Sequence, residues 1–377
     1  LPKNHLRPIR EFKALITIAV LPGDGIGVEV TKAAIPIFAA LNIPVQLNFG
    51  DIGWTFWQNE GCAIPERTWQ LIRQSDTVLL GATTSKPNRE ALEELGEAFR
   101  QKQPAYLSPI IQLRQQLDLF ANVRPCFNIK NEGKEFNFTV IRENTEGLYA
   151  GFDYHPIPPE LTSLLATKPA WGNLDPKELS CSLRLQTKKG LLRLFEFAFQ
   201  YAKKQKMQRV TLADKPNVLR QSGAFTREIF EEIASHYPHI KADILNVDAV
   251  ALWMIRRPED FGVIVAENMF GDILSDVGAG IMGGLGLAPS ANIGEKGCYF
   301  EPVHGSAPKI MANRANPGAM FLTIALLLRH FGYSSEADLI KQALTKVVQA
   351  REYVTYDLGG NSSTEEMAGA ILRAATI

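Results

Sequence analysis

The sequence has little cysteine, no excess of charge and no long apolar run. Its four cysteines, Cys62, Cys126, Cys181 and Cys298, are widely separated and form no CxxC pair. Neither a disulfide framework nor a thiolate zinc site is predicted, and a reducing cytoplasmic setting fits. Lys and Arg number 40 and Asp and Glu number 40 among 377 residues. A neutral chain offers no electrostatic footing for nucleic acid or an anionic membrane, so an anionic ligand must be captured by local clusters of Lys and Arg. The longest apolar stretches, such as 14–21 and 320–328, stop short of the roughly 18 to 20 residues that span a bilayer. Residues 1–13 are polar and mixed in charge and lack the apolar stretch of a secretory leader. The expectation is a soluble protein with no nucleic-acid or membrane partner.

Hydrophobic residues make up 46% of the chain, ample for a sizeable core, and above roughly 250 residues two domains are expected. Strand-like and helix-like segments alternate from the start. Strands are predicted over 15–21, 45–51 and 77–80, with helices over 27–41 and 65–74 between them, the βαβ rhythm of a mostly parallel sheet. The rhythm returns with strands at 209–213, 240–247 and 263–266, followed by helices at 223–235, 249–255 and 273–281. Three amphipathic helices, 319–330, 336–350 and 364–374, close the chain. Two stretches interrupt the pattern. Residues 86–105 are charged and helix-prone over 90–101, which reads as a surface excursion, and residues 154–176, rich in proline, read as an arm or interface segment.

Several groups of residues carry chemistry. Gly23, Gly25 and Gly27 follow a strand and precede a helix, but the third glycine falls one position early for the dinucleotide fingerprint. A phosphate cradle and a plain tight turn both remain open. Arg114, Arg124 and Arg142 offer paired N–H donors that suit carboxylates; the competing reading is three separate surface ion pairs. Asp272 and Asp276, four apart, face one side of a helix, where a divalent ion such as Mg²⁺ or Mn²⁺ would relieve their repulsion. Against this stands an Asp helix cap followed by a solvated Asp. Asp248, at a strand-to-helix boundary, is a third carboxylate or a helix cap. Tyr149 and Lys215 are candidates for proton transfer, set against a core tyrosine and a surface lysine.

With these residues in view the chain resembles the β-decarboxylating dehydrogenases, the isocitrate, isopropylmalate and homoisocitrate dehydrogenase family. The resemblance rests on Leu21-Pro-Gly-Asp-Gly-Ile-Gly27, Leu117-Asp-Leu-Phe-Ala-Asn-Val-Arg-Pro125 and Ile141-Arg-Glu-Asn-Thr-Glu-Gly-Leu-Tyr-Ala-Gly151. Asn268-Met-Phe-Gly-Asp-Ile-Leu-Ser-Asp276, His304-Gly-Ser-Ala-Pro308 and Asp357-Leu-Gly-Gly360 complete it. It implies an α/β fold of the isopropylmalate dehydrogenase type, not a Rossmann fold, with mixed sheets flanked by helices. Residues 1–119 and 283–377 would form a large domain. Residues 120–282 would form a small domain carrying a dimer interface and an arm near 154–187. The implied reaction is metal-assisted hydride transfer to NAD(P) followed by loss of CO₂, in a homodimer with shared active sites.

The resemblance also implies roles. Arg114, Arg124 and Arg142, with Ser108, Ile110 and Asn217, would bind the substrate, a small di- or tricarboxylic 2-hydroxy acid. Asp272, Asp276 and a second subunit's Asp248 would hold Mg²⁺ or Mn²⁺. Lys215, also from the second subunit, would relay the hydroxyl proton, and Tyr149 would protonate carbon after decarboxylation. Thr83 and Thr84 would lie by the nicotinamide. Glu301, His304, Gly305, Ser306, Ala307, Lys309, Asn316 and Tyr356 would hold the rest of the nucleotide. The pattern from Tyr106 to Arg114 is most similar to that of homoisocitrate dehydrogenases, and Thr83-Thr84 also favours an isocitrate-type acid; isopropylmalate is the alternative. Lys309 and Tyr356 favour NADP, Ile310 favours NAD, and the balance leans to NADP. A non-catalytic regulatory subunit is the reading from a different class, opposed by the joint presence of Tyr149, Lys215, Asp248, Asp272 and Asp276.

Overall fold

In a computed structural model, residues 15–102 and 104–376 are described; the leader reading of residues 1–13 lies outside them. Apolar runs rich in Ile, Val and Leu form the first strands, β1 (Ile16–Gly23), β2 (Val45–Phe49) and β3 (Thr77–Ala82), and β3 is buried along its whole length. Continuous burial is what a parallel strand covered by helices on both faces requires. The remaining strands are β4 (Ala121–Phe127), β5 (Asn137–Glu143), β6 (Asp153–Tyr154), β7 (Cys181–Ser182), β8 (Arg209–Asp214), β9 (Lys241–Asn246), β10 (Val263–Ala266), β11 (Pro289–Ile293) and β12 (Cys298–Pro302).

Ten strands share one sheet in the order β2-β1-β3-β12-β11-β4-β5-β10-β8-β9, and β6 pairs with β7 apart from it. Pairing is parallel at both ends of the sheet. At the centre β11 runs antiparallel to β12 and to β4, and β4 antiparallel to β5. Only three residue pairs join β11 to β4, Ala291 with Val123, Asn292 with Asn122 and Ile293 with Ala121. This seam is where strands from both ends of the chain meet strands from its middle.

Four sequence expectations change. The helix expected over 27–41 is two, Ile26–Ala34 and Pro36–Ala40, because Pro36 has no N–H to continue the first. A 17-residue helix, Lys188–Lys204, was not expected, although Leu191, Leu194, Phe195, Ala198 and Phe199 mark its buried face. Residues 86–105 are not a bare surface excursion, since they fold into helices Asn88–Glu93 and Glu97–Arg100 and bury Ala91 and Leu95 against Trp54 and Trp57. Residues 154–176 contain short helices, Pro159–Leu165 and Pro169–Gly172, with no residue of either fully buried.

Candidate active site

Strand register gathers the arginines. Side chains alternate along a strand and match across partners, so Asn122, Arg124 and Arg142 share one face, because Asn122 pairs with Arg142. The helix Asn268–Met282 crosses that face. It can approach only because residue 271 is glycine: a Cβ there would sit 2.7 Å from the Cβ of Arg142. That approach brings Asp272 and Asp276 onto the guanidinium groups.

Arg142 donates from Nε and Nη2 to Asn268 Oδ1, at 3.0 and 2.7 Å, and from Nη1 to Asp272. Arg124 donates to Asn122 Oδ1 (2.8 Å), Ser275 Oγ (2.6 Å) and Asp276 Oδ1 (3.3 Å), and its Nη2 lies 3.6 Å from Asp272. Asp272 therefore bridges two buried arginines. Its other oxygen accepts from the Tyr149 hydroxyl at 3.2 Å, and the Tyr149 ring lies 5.4 Å from the Arg142 guanidinium. Arg114, on the helix Pro109–Gln116, pairs with Glu301 at 3.7 Å, and its Nε is buried without a hydrogen-bond partner.

These contacts shape the proton affinities. Burial, then Arg114 and Arg124, bring Arg142 down to about 10. Burial likewise lowers Arg124, with Asp272 opposing. For Arg114 burial also acts downward, but Tyr299 and Glu301 beside it prevail and the net direction is upward. Burial raises Asp276, and the charge of Asp272 adds to it. Tyr149 is raised by burial and by Asp272, which keeps its hydroxyl protonated at neutral pH.

The reading of Asp272 as a helix cap is overturned: the cap is Glu267, whose carboxylate accepts from Phe270 N at 2.9 Å. Asp248 is not a cap either, since Asn246 precedes the helix Val247–Arg256. Asp248 instead pairs with Lys215 at 2.5 Å, where β8 and β9 end side by side, and Lys215 holds its carboxyl below the usual range. Asn217 is exposed nearby. Among the described residues no hydrogen bond or ion pair links this pair to the arginine cluster, and no group of three acidic, His or Cys side chains that could hold a metal ion assembles. One chain thus brings Asp272 and Asp276 together and leaves Asp248 apart.

Elsewhere, Thr84 donates its N–H to Asp24 Oδ2 (2.8 Å), its hydroxyl meets Ser306 Oγ (2.7 Å), and its carbonyl accepts from Tyr106 OH (3.0 Å). Thr83 is half-buried beside it. The glycine-rich turn packs on this same loop. A Cβ on Gly25 would sit 2.3 Å from Ser306 O and one on Gly27 2.4 Å from Ala82 N, so protein fills the turn and the phosphate cradle gives way to a tight turn. In the 304–308 loop Gly305 is exposed and Ala307 adopts φ 43°. His304 Nδ1 contacts Gly305 O at 3.0 Å, and its buried Nε2 has no partner. Burial lowers the affinity of His304 for a proton. With Nδ1–H on a carbonyl, the neutral ring offers Nε2 as an acceptor.

Lys309 and Tyr356 are exposed. Two residues expected at the nucleotide turn inward. Asn316 donates to Asp357 (2.9 Å) and accepts from Gly318 N (2.8 Å). Glu301 accepts from Asn292 and Tyr299, both at 3.0 Å, and faces Arg114. Ser108 accepts from the Ser85 hydroxyl at 3.0 Å. Ile110 packs toward the core with Leu113, whereas Ile111 and Leu107 are exposed. Sequence reasoning assigned no role to Asn268, Asn122 or Asp24. Spacing carried a signal for two of them: Asn268 is four before Asp272 on a helix, and Asn122 is two before Arg124 on a strand.

The fold and the family match together place the chain among the oxidoreductases of the β-decarboxylating dehydrogenase class. The family model described as Isocitrate/isopropylmalate dehydrogenase matches residues 17–371, and the chain belongs to that family. It is 66% identical over 357 residues to the protein DlpA of Legionella pneumophila, a match covering 95% of this chain and 58% of that protein's length. It is 41% identical over 361 residues to a 3-isopropylmalate dehydrogenase of Methanothermobacter thermautotrophicus, covering 94% and 97% of the two. The crystal structure of isocitrate dehydrogenase from Methylococcus capsulatus aligns with a TM-score of 0.83 at 35% identity, covering 96% of this chain and 100% of that one.

Proposed function

We propose that this chain catalyses the metal-dependent oxidative decarboxylation of an isocitrate-type 2-hydroxy acid, isocitrate or homoisocitrate, with hydride transfer to NAD(P). The observation that carries the reading is the buried Arg124–Arg142 pair bridged by Asp272, beside Arg114, Asp276 and Tyr149. Three guanidinium groups on a rigid sheet and helix suit a small polycarboxylate, each able to take a carboxylate through paired donors. The donor set fits a hard cation: Asp272 and Asp276 supply oxygen only, and burial together with mutual repulsion raises Asp276. Asp272, Asp276 and Asp248 of the partner subunit would hold Mg²⁺ or Mn²⁺, which supplies Lewis-acid polarisation of the substrate's hydroxyl and carboxylate oxygens.

The chain's own groups do the rest. Arg114, Arg124 and Arg142 orient the carboxylates. Tyr149, kept protonated, donates its proton to carbon after CO₂ leaves. Lys215, reaching from the partner subunit, relays the hydroxyl proton. A shared site in a homodimer explains why Lys215 and Asp248 sit apart from the arginines, next to exposed Val218, Leu252, Trp253 and Ile255. In this reading the seam between β11 and β4 divides the domains 1–119 with 283–377 from 120–282. For the nucleotide, the orphaned acceptor His304 Nε2 fits a hydroxyl or amino donor, and exposed Lys309 favours NADP.

Isopropylmalate is a second reading. Ile111 lies three residues before Arg114 on the helix Pro109–Gln116 and exposes an apolar side chain, as does Leu107 just before that helix. Absorbance measurements of NAD and NADP reduction with isocitrate, homoisocitrate and isopropylmalate, with and without Mg²⁺ or Mn²⁺, test the proposal. Metal-dependent turnover of one of the first two acids is expected. No turnover of any acid defeats it.

A further inference from the structure

The described residues of the 86–107 stretch form a docked cap. Trp57 Nε1 donates to Ala91 O at 2.8 Å, Trp54 Nε1 to Glu94 at 2.7 Å, and Gly96 N to Gln58 O at 2.9 Å. Lys86 pairs with Glu94 and lies 5.0 Å from the centre of the Trp54 ring. Trp54 and Trp57 are only 8% and 2% exposed beneath it, so the cap is part of a packed cluster rather than a loose loop. At its far end stands Tyr106. Its ring meets both tryptophans edge-on, with centroids 5.2 and 5.0 Å away, and its hydroxyl donates to Thr84 O at 3.0 Å. The Tyr106 backbone N–H donates to Asn88 Oδ1 at 3.2 Å, which ties it to the cap's first helix.

Two elements of the proposed site hang on that end. Thr84 is the residue next to Ser85, whose hydroxyl donates to Ser108, and Ser108 begins the helix that carries Arg114. Thr84 is otherwise held by Asp24 and Ser306. Through this phenol, which also lies 3.4 Å from Ser85 Oγ, the cap thus reaches the loop expected at the nicotinamide and, by way of Ser85, the start of the substrate helix that follows Tyr106 in the chain.

We propose that Tyr106 is a positioning residue: its hydroxyl transmits the docking of the 86–107 cap on Trp54 and Trp57 to Thr84 and to the Ser108 end of the substrate helix. The inference deepens the proposed function and rests on it for the meaning of that helix. The mechanism is geometric. A phenol clamped between two indoles has few rotamers to lose, so its hydrogen bond fixes the Thr84 carbonyl, and the Ser85–Ser108 contact passes that restraint to the helix start.

The test is Tyr106→Phe in the full chain, which keeps the ring packing and removes only the hydroxyl. Hydrogen–deuterium exchange needs no turnover: amides of 84–86 and 108–112 are expected to exchange about fivefold faster, the effect of one lost hydrogen bond. The cap amides and the thermal midpoint are expected to hold. With a turned-over acid, KM should rise about fivefold while kcat changes less than about twofold. Unchanged exchange at 108–112, a uniform rise across the cap, or an unchanged KM overturns the inference. Absence of turnover in the wild type would defeat the proposed reaction instead, and the exchange arm would still decide the role of Tyr106.

Discussion

The arginine–aspartate half of the candidate site, proposed for the substrate, is held mainly by charge, and the Thr84 half, proposed for the nucleotide, mainly by backbone and hydroxyl groups with one carboxylate, Asp24. Around Asp272 the dominant contacts are to the buried guanidinium groups of Arg124 and Arg142, with the exposed Tyr149 hydroxyl closing the other side. Around Thr84 the main-chain amide donates to the Asp24 carboxylate, the main-chain carbonyl accepts from the Tyr106 hydroxyl, and the side-chain hydroxyl meets that of Ser306. Buried charges must be mutually satisfied, so one change strands its partners. The second half loses one hydrogen bond at a time, which makes it the more tolerant of substitution.

The comparison breaks most sharply at Arg142. Arg142→Ala leaves Asn268 Oδ1 without a partner in the interior and takes from Asp272 one of its two guanidinium partners. A stability loss of about 3 kcal/mol is expected in urea unfolding, with kcat/KM down by about 1,000-fold or more. A loss below tenfold in kcat/KM would remove Arg142 from substrate binding. On the other half the effects are smaller. Lys309→Asp should shift the nucleotide preference toward NAD by about tenfold, because a carboxylate repels a 2′-phosphate; an unchanged NADP-to-NAD ratio of kcat/KM would place Lys309 outside the nucleotide site.

His304 gives the smallest effect and a pH signature. Burial holds the folded ring neutral below the usual histidine range, whereas the unfolded chain takes a proton near its ordinary pKa of about 6.5. The unfolded state then binds more protons, so wild-type stability falls as pH drops below about 6.5 and is insensitive to this group above it. His304→Asn should remove that increment, measured as urea midpoints of both proteins between about pH 5 and 8. Parallel curves would contradict the assignment.

The charged half was also the more legible in the sequence. Arginine, aspartate and tyrosine at strand and helix spacings mark their chemistry by side-chain type, and the structure brings Arg124, Arg142, Asp272, Asp276 and Tyr149 together. Asn316 and Glu301 were harder, because an amide or carboxylate in a loop or strand does not reveal which way it faces. The parallel strands at the two ends of the sheet followed from periodicity. Its antiparallel centre did not, since β4 and β11 meet through a long-range register that no local pattern encodes. The cap was misread for a similar reason: its surface is charged, and the few residues that dock it, Ala91 and Leu95, need the distant Trp54 and Trp57 to explain them.

The position of β12 between β3 and β11 carries a consequence for biosynthesis. The hydroxyl of Thr77 on β3 donates to the carbonyl of Cys298, 221 residues further along. As the chain leaves the ribosome, β1, β2 and β3 stand as a sheet whose β3 edge, covered in the finished fold by β12, is open while all of β4 to β11 is still being made. The middle of the protein can complete its strand pairings before the beginning does. The interval in which β3 waits is the stage of folding at which the chain is most exposed to edge-to-edge association.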